Sequence, residues 1–251
     1  MGSSIPGGWE TRILVCVLAA GASSRMGFPK LLAAFPGPDG DDTCLLARAC
    51  RAALDSRATQ VAVVTGAYAD EMAPVLEELR GPFEKSHQSI EGAGPAGSAS
   101  ARMPHLVELR NDAWSQGQAT SVRLAARHAR DNDFDAIIFM AADQPFVEAE
   151  HLDALIAAFE QMQGTETTDA APASFALRSR CGTRQGNPCL FPRETLPLFE
   201  TLTGDEGARQ LFRSGALAAV PADIPPVPGH DVFCDLDTPD EFERFKALRS
   251  M

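Results

Sequence analysis

The stretch ILVCVLAAGASSRMGFPK, residues 13–30, runs from an unbroken apolar segment into a loop of small residues that carries Arg25 and Lys30 but no acid. Continuous β-branched and apolar runs of this length suit a strand covered on both faces, as in a parallel sheet. In such sheets ligands gather at the carboxyl ends of strands, and small residues there let backbone N–H groups approach an anion closely. The loop does not fit GxxxxGK[ST] or GxGxxG, so two common phosphate loops are excluded while their physics is kept. Arg25 and Lys30 lie five residues apart around Gly27 and Pro29. They either fold back together on a polyphosphate or are ordinary solvated cations.

The same pattern recurs outward. Gln60 to Thr65 (QVAVVT) and Asp135 to Ala142 (DAIIFMAA) repeat the apolar run, and helical spacing appears at Cys44 to Leu54, Asp70 to Leu79, Thr120 to Arg130 and Glu148 to Phe159. Alternating strands and helices predict an α/β fold, a three-layer Rossmann-like sandwich around a mostly parallel, mixed central sheet. Residues 1–251 read as one domain, with 11–165 as a first half and 166–251 as a second whose shorter, proline-rich elements join the same sheet. Residues 81–104 are rich in Gly, Ala, Ser and Pro and predict a flexible surface loop, with a lid over a ligand as the alternative.

Composition narrows the function. Of 251 residues 45% are apolar and 22% charged, and the net charge is −12. Nucleic-acid binding needs clustered bases for counterion release, so no nucleic-acid partner is expected. No run reaches 18 apolar residues and the N-terminus lacks a secretory pattern, which predicts a cytoplasmic protein without a membrane span. Six cysteines without CxxC spacing read as reduced, buried thiols.

Two further places concentrate acids. Asp143 follows AIIFMAA and precedes Gln144-Pro145, which puts its carboxylate at a strand's carboxyl end, on the rim that carries the small-residue loop. Asp235-Leu236-Asp237-Thr238-Pro239 offers a second pair on one side of an extended segment, with Thr238 placed to cap a helix from Pro239 to Leu248. Mg²⁺ is usually held by one or two carboxylates plus phosphate oxygens, which is the company a nucleoside triphosphate keeps. Capping and turn formation are the competing roles for these acids. The five histidines, His87, His105, His128, His151 and His230, sit in no motif and read as surface or helix positions.

LAAG-x-SSRMG-x-PK resembles the signature loop of the nucleotidyltransferases related to the molybdenum cofactor guanylyl- and cytidylyltransferases. Residues 111–117 (NDAWSQG), 142–145 (ADQP), 204–209 (GDEGAR) and 235–240 (DLDTPD) agree with it in order, so the resemblance spans nearly the whole chain. Ala20, where guanylyl relatives carry Gly, and the last two segments incline it to the cytidylyl branch. The resemblance implies that CMP passes from CTP to the terminal phosphate of the molybdenum-bearing molybdopterin, with pyrophosphate leaving. It implies Arg25, Lys30 and Asp143 as catalytic residues, and Asp143 and Asp237 as ligands of Mg²⁺ or Mn²⁺. Leu18, Ala19, Ala20, Gly21, Ser24, Thr65, Gly66, Gly117 and Ser121 would join Arg25 and Lys30 around the nucleotide in the first half. Gln185, Gly186, Asn187, Pro188, Gly204, Asp205 and Arg209 would hold the acceptor in the second. A dianionic phosphate needs no general base, in keeping with histidines outside every motif. Gln118 stands where relatives carry Met, and Asn187 where many carry His. Arg209 either meets the acceptor phosphate or pairs with Asp205 one turn away; Trp114 is a core or lid residue, or a stacking platform. A recipient molybdoenzyme would be a partner. The alternatives are a same-fold enzyme using GTP or another phosphorylated acceptor, and a non-catalytic carrier of the cofactor.

Overall fold

Strand β1 (Ile13–Leu18) is fully buried from Ile13 to Val17, because strands flank it on both edges and helices cover both faces. The computed structural model describes residues 11–37, 42–81, 104–164 and 174–249. After β1 come the short strands β2 (Ala34–Pro36) and β3 (Asp42–Cys44), paired antiparallel, then helix α1 (Leu45–Leu54), β4 (Gln60–Thr65) and α2 (Ala69–Arg80). The chain continues as β5 (His105–Arg110), α3 (Gln118–Asp131), β6 (Ala136–Ala141) and α4 (Ala149–Gly164). The second half adds β7 (Phe175–Cys181), β8 (Arg184–Pro192), α5 (Arg209–Arg213), β9 (Ala218–Asp223) and α6 (Pro239–Arg249).

Seven strands form one sheet in the order β5-β4-β1-β6-β8-β7-β9. β1 runs parallel to β4 and β6, β4 to β5, and β7 to β9, while β8 is antiparallel to both its neighbours. The expected mixed, mostly parallel three-layer architecture is therefore present. β5 escaped the sequence reading: HLVELR has too few apolar residues to announce itself, and it needs few because it is an edge strand. Most of the expected loop 81–104, residues 82–103 with His87 among them, lies outside the described residues.

Alternation along the strands divides the core. Ile13, Val15, Val17, Val61, Val63 and Ile138 pack against α1, α2, α4 and α6, whereas Leu14, Cys16, Ala62, Val64, Ile137 and Phe139 pack against α3, α5 and a 3-10 segment at Arg193–Thr201. Burying each such Val, Leu or Ile contributes about 1.5–3 kcal/mol relative to exposure. Cys16, Cys44, Cys50 and Cys189 are buried, Cys181 and Cys234 half-buried, and all six are free thiols. Burial pushes the Cys50 and Cys189 thiols up to about 12, so neither is a nucleophile at neutral pH.

The start of α6 follows local chemistry. Thr238 and Glu241 form a reciprocal capping box at α6: Thr238 Oγ1 accepts the Glu241 N–H at 3.3 Å, and Glu241 Oε2 accepts the Thr238 N–H at 2.9 Å. Residues 235–238, expected to be an extended strand-like segment, are irregular backbone outside any strand. Their anchor is the Leu236 N–H, which donates to the Asp143 carbonyl at 3.1 Å and fastens the segment to the end of β6.

Candidate active site

Where β1 ends, the Ala19 N–H still donates to the Val64 carbonyl at 2.9 Å, and the chain then leaves the sheet as a loop. Ser23 takes φ +50° and Gly27 φ +72°, and the Met26 N–H closes a turn on the Ser23 carbonyl at 2.9 Å. Met26, 5% exposed, pins the loop's middle into the core, and the Tyr68 hydroxyl donates to the Ala22 carbonyl at 3.1 Å. The loop is thereby held at three points with its backbone turned to a cleft of about 470 Å³. Leu18 to Met26 line one side, with Lys30, Asp143 and Asp237 at one end and Trp114, Gly117, Gln118, Ser121 and Asp205 at the other.

Lys30, in a 3-10 turn (Lys30–Leu32), points inward and is only 8% exposed. Its Nζ donates to Asp143 Oδ2 at 2.7 Å, to the Leu236 carbonyl at 2.7 Å and to Asp237 Oδ1 at 3.1 Å. All three ammonium protons are thus directed to oxygen. Arg25, largely exposed, reaches Asp237 Oδ2 at 3.0 Å. Both loop cations and both expected metal acids therefore meet, although each acid lies more than a hundred residues from the loop.

Asp237 and Asp235 respond oppositely to this setting. Partial burial is the largest single influence on Asp237 and works against ionisation, but bonds from Lys30 and then Arg25 together hold its carboxyl below the ordinary carboxylate range. Asp235 has no hydrogen bond from either cation: burial first, then the charges of Asp143 and Asp237, push it up, against a hydrogen bond from Gln144 and the weaker pull of the Lys30 charge. Gln144 is 5% exposed, and its Oε1 is buried without a partner among the described residues.

No group of three or more His, Cys, Asp or Glu is arranged to hold a metal among the described residues. The oxygens around Lys30 Nζ, two carboxylates and a carbonyl, are nonetheless hard donors, and an ammonium stands among them as the cation. That donor set fits a Mg²⁺ or Mn²⁺ shared with a bound triphosphate, which supplies the remaining oxygens, and does not fit an all-protein cage.

At the other end Asn111, 5% exposed, organises the floor. Its Nδ2 donates to Thr120 Oγ1 at 2.8 Å and to Ser121 Oγ at 2.9 Å, while its Oδ1 accepts the Ala113 N–H at 3.0 Å. Ser121 Oγ accepts this bond through one of its two lone pairs, and among the described residues its proton is not given to the protein, which leaves it to offer to a ligand. A motif residue without an assigned role thus sets the donor direction of an expected nucleotide contact; an Asn at the entry to a turn, able to accept the N–H two residues on, is the signal the sequence carried.

Other expected contacts lie elsewhere. Thr65 is fully buried with its hydroxyl donated to Glu108 Oε1 at 2.7 Å, and neither it nor Gly66 lines the cleft. Gly66 is a packing glycine: a Cβ there would sit 2.6 Å from the Ala20 carbonyl oxygen and 2.8 Å from Trp114 Cβ. Gln185, Gly186, Asn187 and Pro188 lie on β8, outside the cleft lining, with Gly186 pressed against the Phe233 ring. Arg209 opens α5 and makes no ion pair with Asp205; Asp205 Oδ1 instead accepts the Gln118 N–H at the start of α3, at 3.2 Å. Trp114 is half-buried, packs on the α3 face of the core and lines the cleft, so it is core and wall at once. His151 does lie on a helix but is 2% exposed, inside the protein and not on its surface.

Residues 15–223 match the MobA-like NTP transferase domain. The purine catabolism protein PucB of Bacillus subtilis (strain 168) is 30% identical over 234 residues, 93% of this chain and 95% of that protein. Among solved structures, a homologue of Mycobacterium tuberculosis Rv0371c from Mycobacterium sp. strain JC1 superposes with a TM-score of 0.64 at 25% identity, covering 95% of this chain and 97% of that one. The manganese complex of Rv0371c itself, from M. tuberculosis H37Rv, gives 0.60 at 21% identity over 94% of this chain and 98% of that one. Among the described residues no helix is long and apolar enough to cross a membrane.

Proposed function

The chain belongs to the MobA-like NTP transferase domain family, and from that premise we propose that it transfers CMP from CTP to the terminal phosphate of the molybdenum-bearing molybdopterin, releasing pyrophosphate. The observation that carries the reading is the convergence of Lys30, Arg25, Asp143 and Asp237 at one end of a cleft whose other end presents a hydroxyl donor on Ser121.

In this reading the backbone from Leu18 to Ser24 and the Arg25 guanidinium hold the triphosphate, and Lys30 neutralises charge that builds on the leaving pyrophosphate. Asp143 and Asp237 would hold Mg²⁺ or Mn²⁺ together with phosphate oxygens, and the ion when bound would supply Lewis-acid polarisation and screening of the phosphate charge. A manganese complex of a structural neighbour supports a divalent ion of this kind. The acceptor phosphate has a second pKa of about 6 and attacks as the dianion, so no side chain need take a proton. The new P–O bond forms on the α-phosphorus as the bond to the bridging oxygen breaks, and pyrophosphate leaves with that electron pair. Ser121 donates to an acceptor atom on the base, and Ala19 and Ala20 offer backbone groups beside it. On the acceptor side Gln185 to Pro188, Gly204 and Arg209 are the contacts that the family resemblance implies, although none of them lines the cleft itself.

Purified protein incubated with Mg²⁺, molybdopterin and each of CTP, GTP, ATP and UTP tests this, with pyrophosphate and the dinucleotide product measured. CTP is expected to give both. Turnover with GTP instead would move the chain to the guanylyl side, and tight binding of cofactor without pyrophosphate would make it a carrier. Intact turnover in Asp143→Ala would refute the metal assignment.

A further inference from the structure

The two halves of the chain lock together at the first turn of α3. The Gly204 carbonyl accepts the Ala119 N–H at 2.9 Å, and Asp205 Oδ1 accepts the Gln118 N–H at 3.2 Å. Donors that a helix start leaves without intrahelical partners are satisfied by a loop 87 residues further on. Gly117 makes the approach possible: its φ is +109°, and a Cβ on it would lie 2.5 Å from the Gly204 carbonyl carbon and oxygen. Asp205 is thus a fixed part of the cleft wall, and among the described residues its carboxylate has no partner besides the Gln118 N–H.

An ionised carboxylate accepts hydrogen bonds and donates none. Asp205 therefore repels phosphates, whose place is beside Arg25 and Lys30 at the far end, and it calls for a ligand donor. The floor near Ala20 and Ser121 is buried, at 8% and 4% exposure, and suits a base, whereas Asp205 is exposed at the rim. The part of a nucleotide that joins a buried base to the phosphates and carries donors at the rim is the sugar. The geometry points to Asp205 as the residue that accepts a hydrogen bond from a ribose hydroxyl of the bound nucleoside triphosphate, through Oδ2, while Oδ1 stays on α3. This assigns to the nucleotide a side chain that sequence resemblance put on the acceptor side. It rests on the nucleotide reading of the cleft but not on which base is bound.

Calorimetric titration of CTP, GTP, ATP and UTP, and of their 2′-deoxy and 3′-deoxy counterparts, into the wild-type chain, Asp205→Ala and Asp205→Asn with Mg²⁺ tests the inference. Wild type is expected to bind the ribonucleotide about tenfold more tightly than one of the two deoxy forms, the scale of one hydrogen bond to a charged group. Asp205→Ala is expected to lose that preference, by weakening the ribonucleotide and sparing the deoxy form. Asp205→Asn keeps an oxygen for the Gln118 N–H, so loss of the preference there as well separates sugar recognition from undocking of the loop. A preference of the same size in both variants, or none in wild type, overturns the assignment while leaving nucleotide transfer standing. Absence of binding by all four triphosphates overturns both.

Discussion

Lys30 Nζ lies 2.7 Å from Asp143 Oδ2, across 113 residues of sequence, and the same ammonium reaches Asp237 and the Leu236 carbonyl. A single buried cation thus joins the β1 loop, the end of β6 and the segment before α6.

Replacing Lys30 by Met keeps the side-chain length and removes the charge. Asp143 and Asp237 are then left facing each other, with Arg25 alone against them. Because both carboxylates retain some access to water, the cost falls below that of breaking a fully buried pair, at about 1–3 kcal/mol. Urea unfolding at pH 7.5 is expected to show a midpoint lowered accordingly, and transfer is expected to fall at least a hundredfold, the scale of losing one transition-state charge contact. A midpoint equal to wild type would mean that the three-way contact contributes nothing to the fold.

Asn111→Leu removes the donor that fixes Ser121 and the acceptor for the Ala113 N–H. Each buried group left without a partner costs about 1–3 kcal/mol. Steady-state kinetics are expected to show the KM for the nucleotide raised about tenfold with a smaller change in kcat, because the substitution disturbs the floor and leaves the phosphate end intact. A fall in kcat at unchanged KM would contradict this division of the cleft.

His151 gives a pH dependence. Its Nδ1 accepts the Glu148 N–H at 2.8 Å, and it also hydrogen-bonds the Pro225 backbone, so the neutral ring ties α4 to the segment leading to Asp235 and Asp237. Burial, the largest influence, holds its pKa below the ordinary histidine value of about 6.5. Below that value the unfolded chain takes up a proton that the folded chain resists, so this contribution is complete above pH 6.5 and declines as pH falls through the folded-state pKa. Denaturant midpoints are expected to drop between pH 7.5 and 5.5, with a shallower drop in His151→Gln. His128, shifted the same way by burial, leaves part of the slope in place. An unchanged slope in His151→Gln would assign the effect elsewhere.

Gly117→Ala combines a left-handed backbone with a collision against the Gly204 backbone. The expected cost is about 2–4 kcal/mol, read as a lowered Tm. Gly21→Ala, in the same cleft but with nothing within 4 Å of the added Cβ, is expected to keep the wild-type Tm. Equal Tm values for the two variants would show that the loop at Gly204 does not bear on α3 in solution.

Much of this was legible in the sequence because it depends on short-range pattern. The runs at Ile13, Gln60 and Ala136 are central strands, since only a strand covered on both faces tolerates apolar residues at every position. The turn after β1 and the acid after β6 share a rim, since parallel neighbours must end on the same side. Thr238 and Glu241 cap α6 through contacts three residues apart. Edge strand β5 was hidden, because a strand with one neighbour needs little apolar sequence. Tertiary structure alone decided the rest. Whether Lys30 is solvated or buried depends on Asp143, Leu236 and Asp237, and whether Asp205 serves Arg209 or α3 depends on two glycines, Gly117 and Gly204, close enough for backbones to touch. Charge and spacing along the chain specify which groups exist; only packing fixes which of them come within 3 Å of each other, and hydrogen bonding and neutralisation act at that distance.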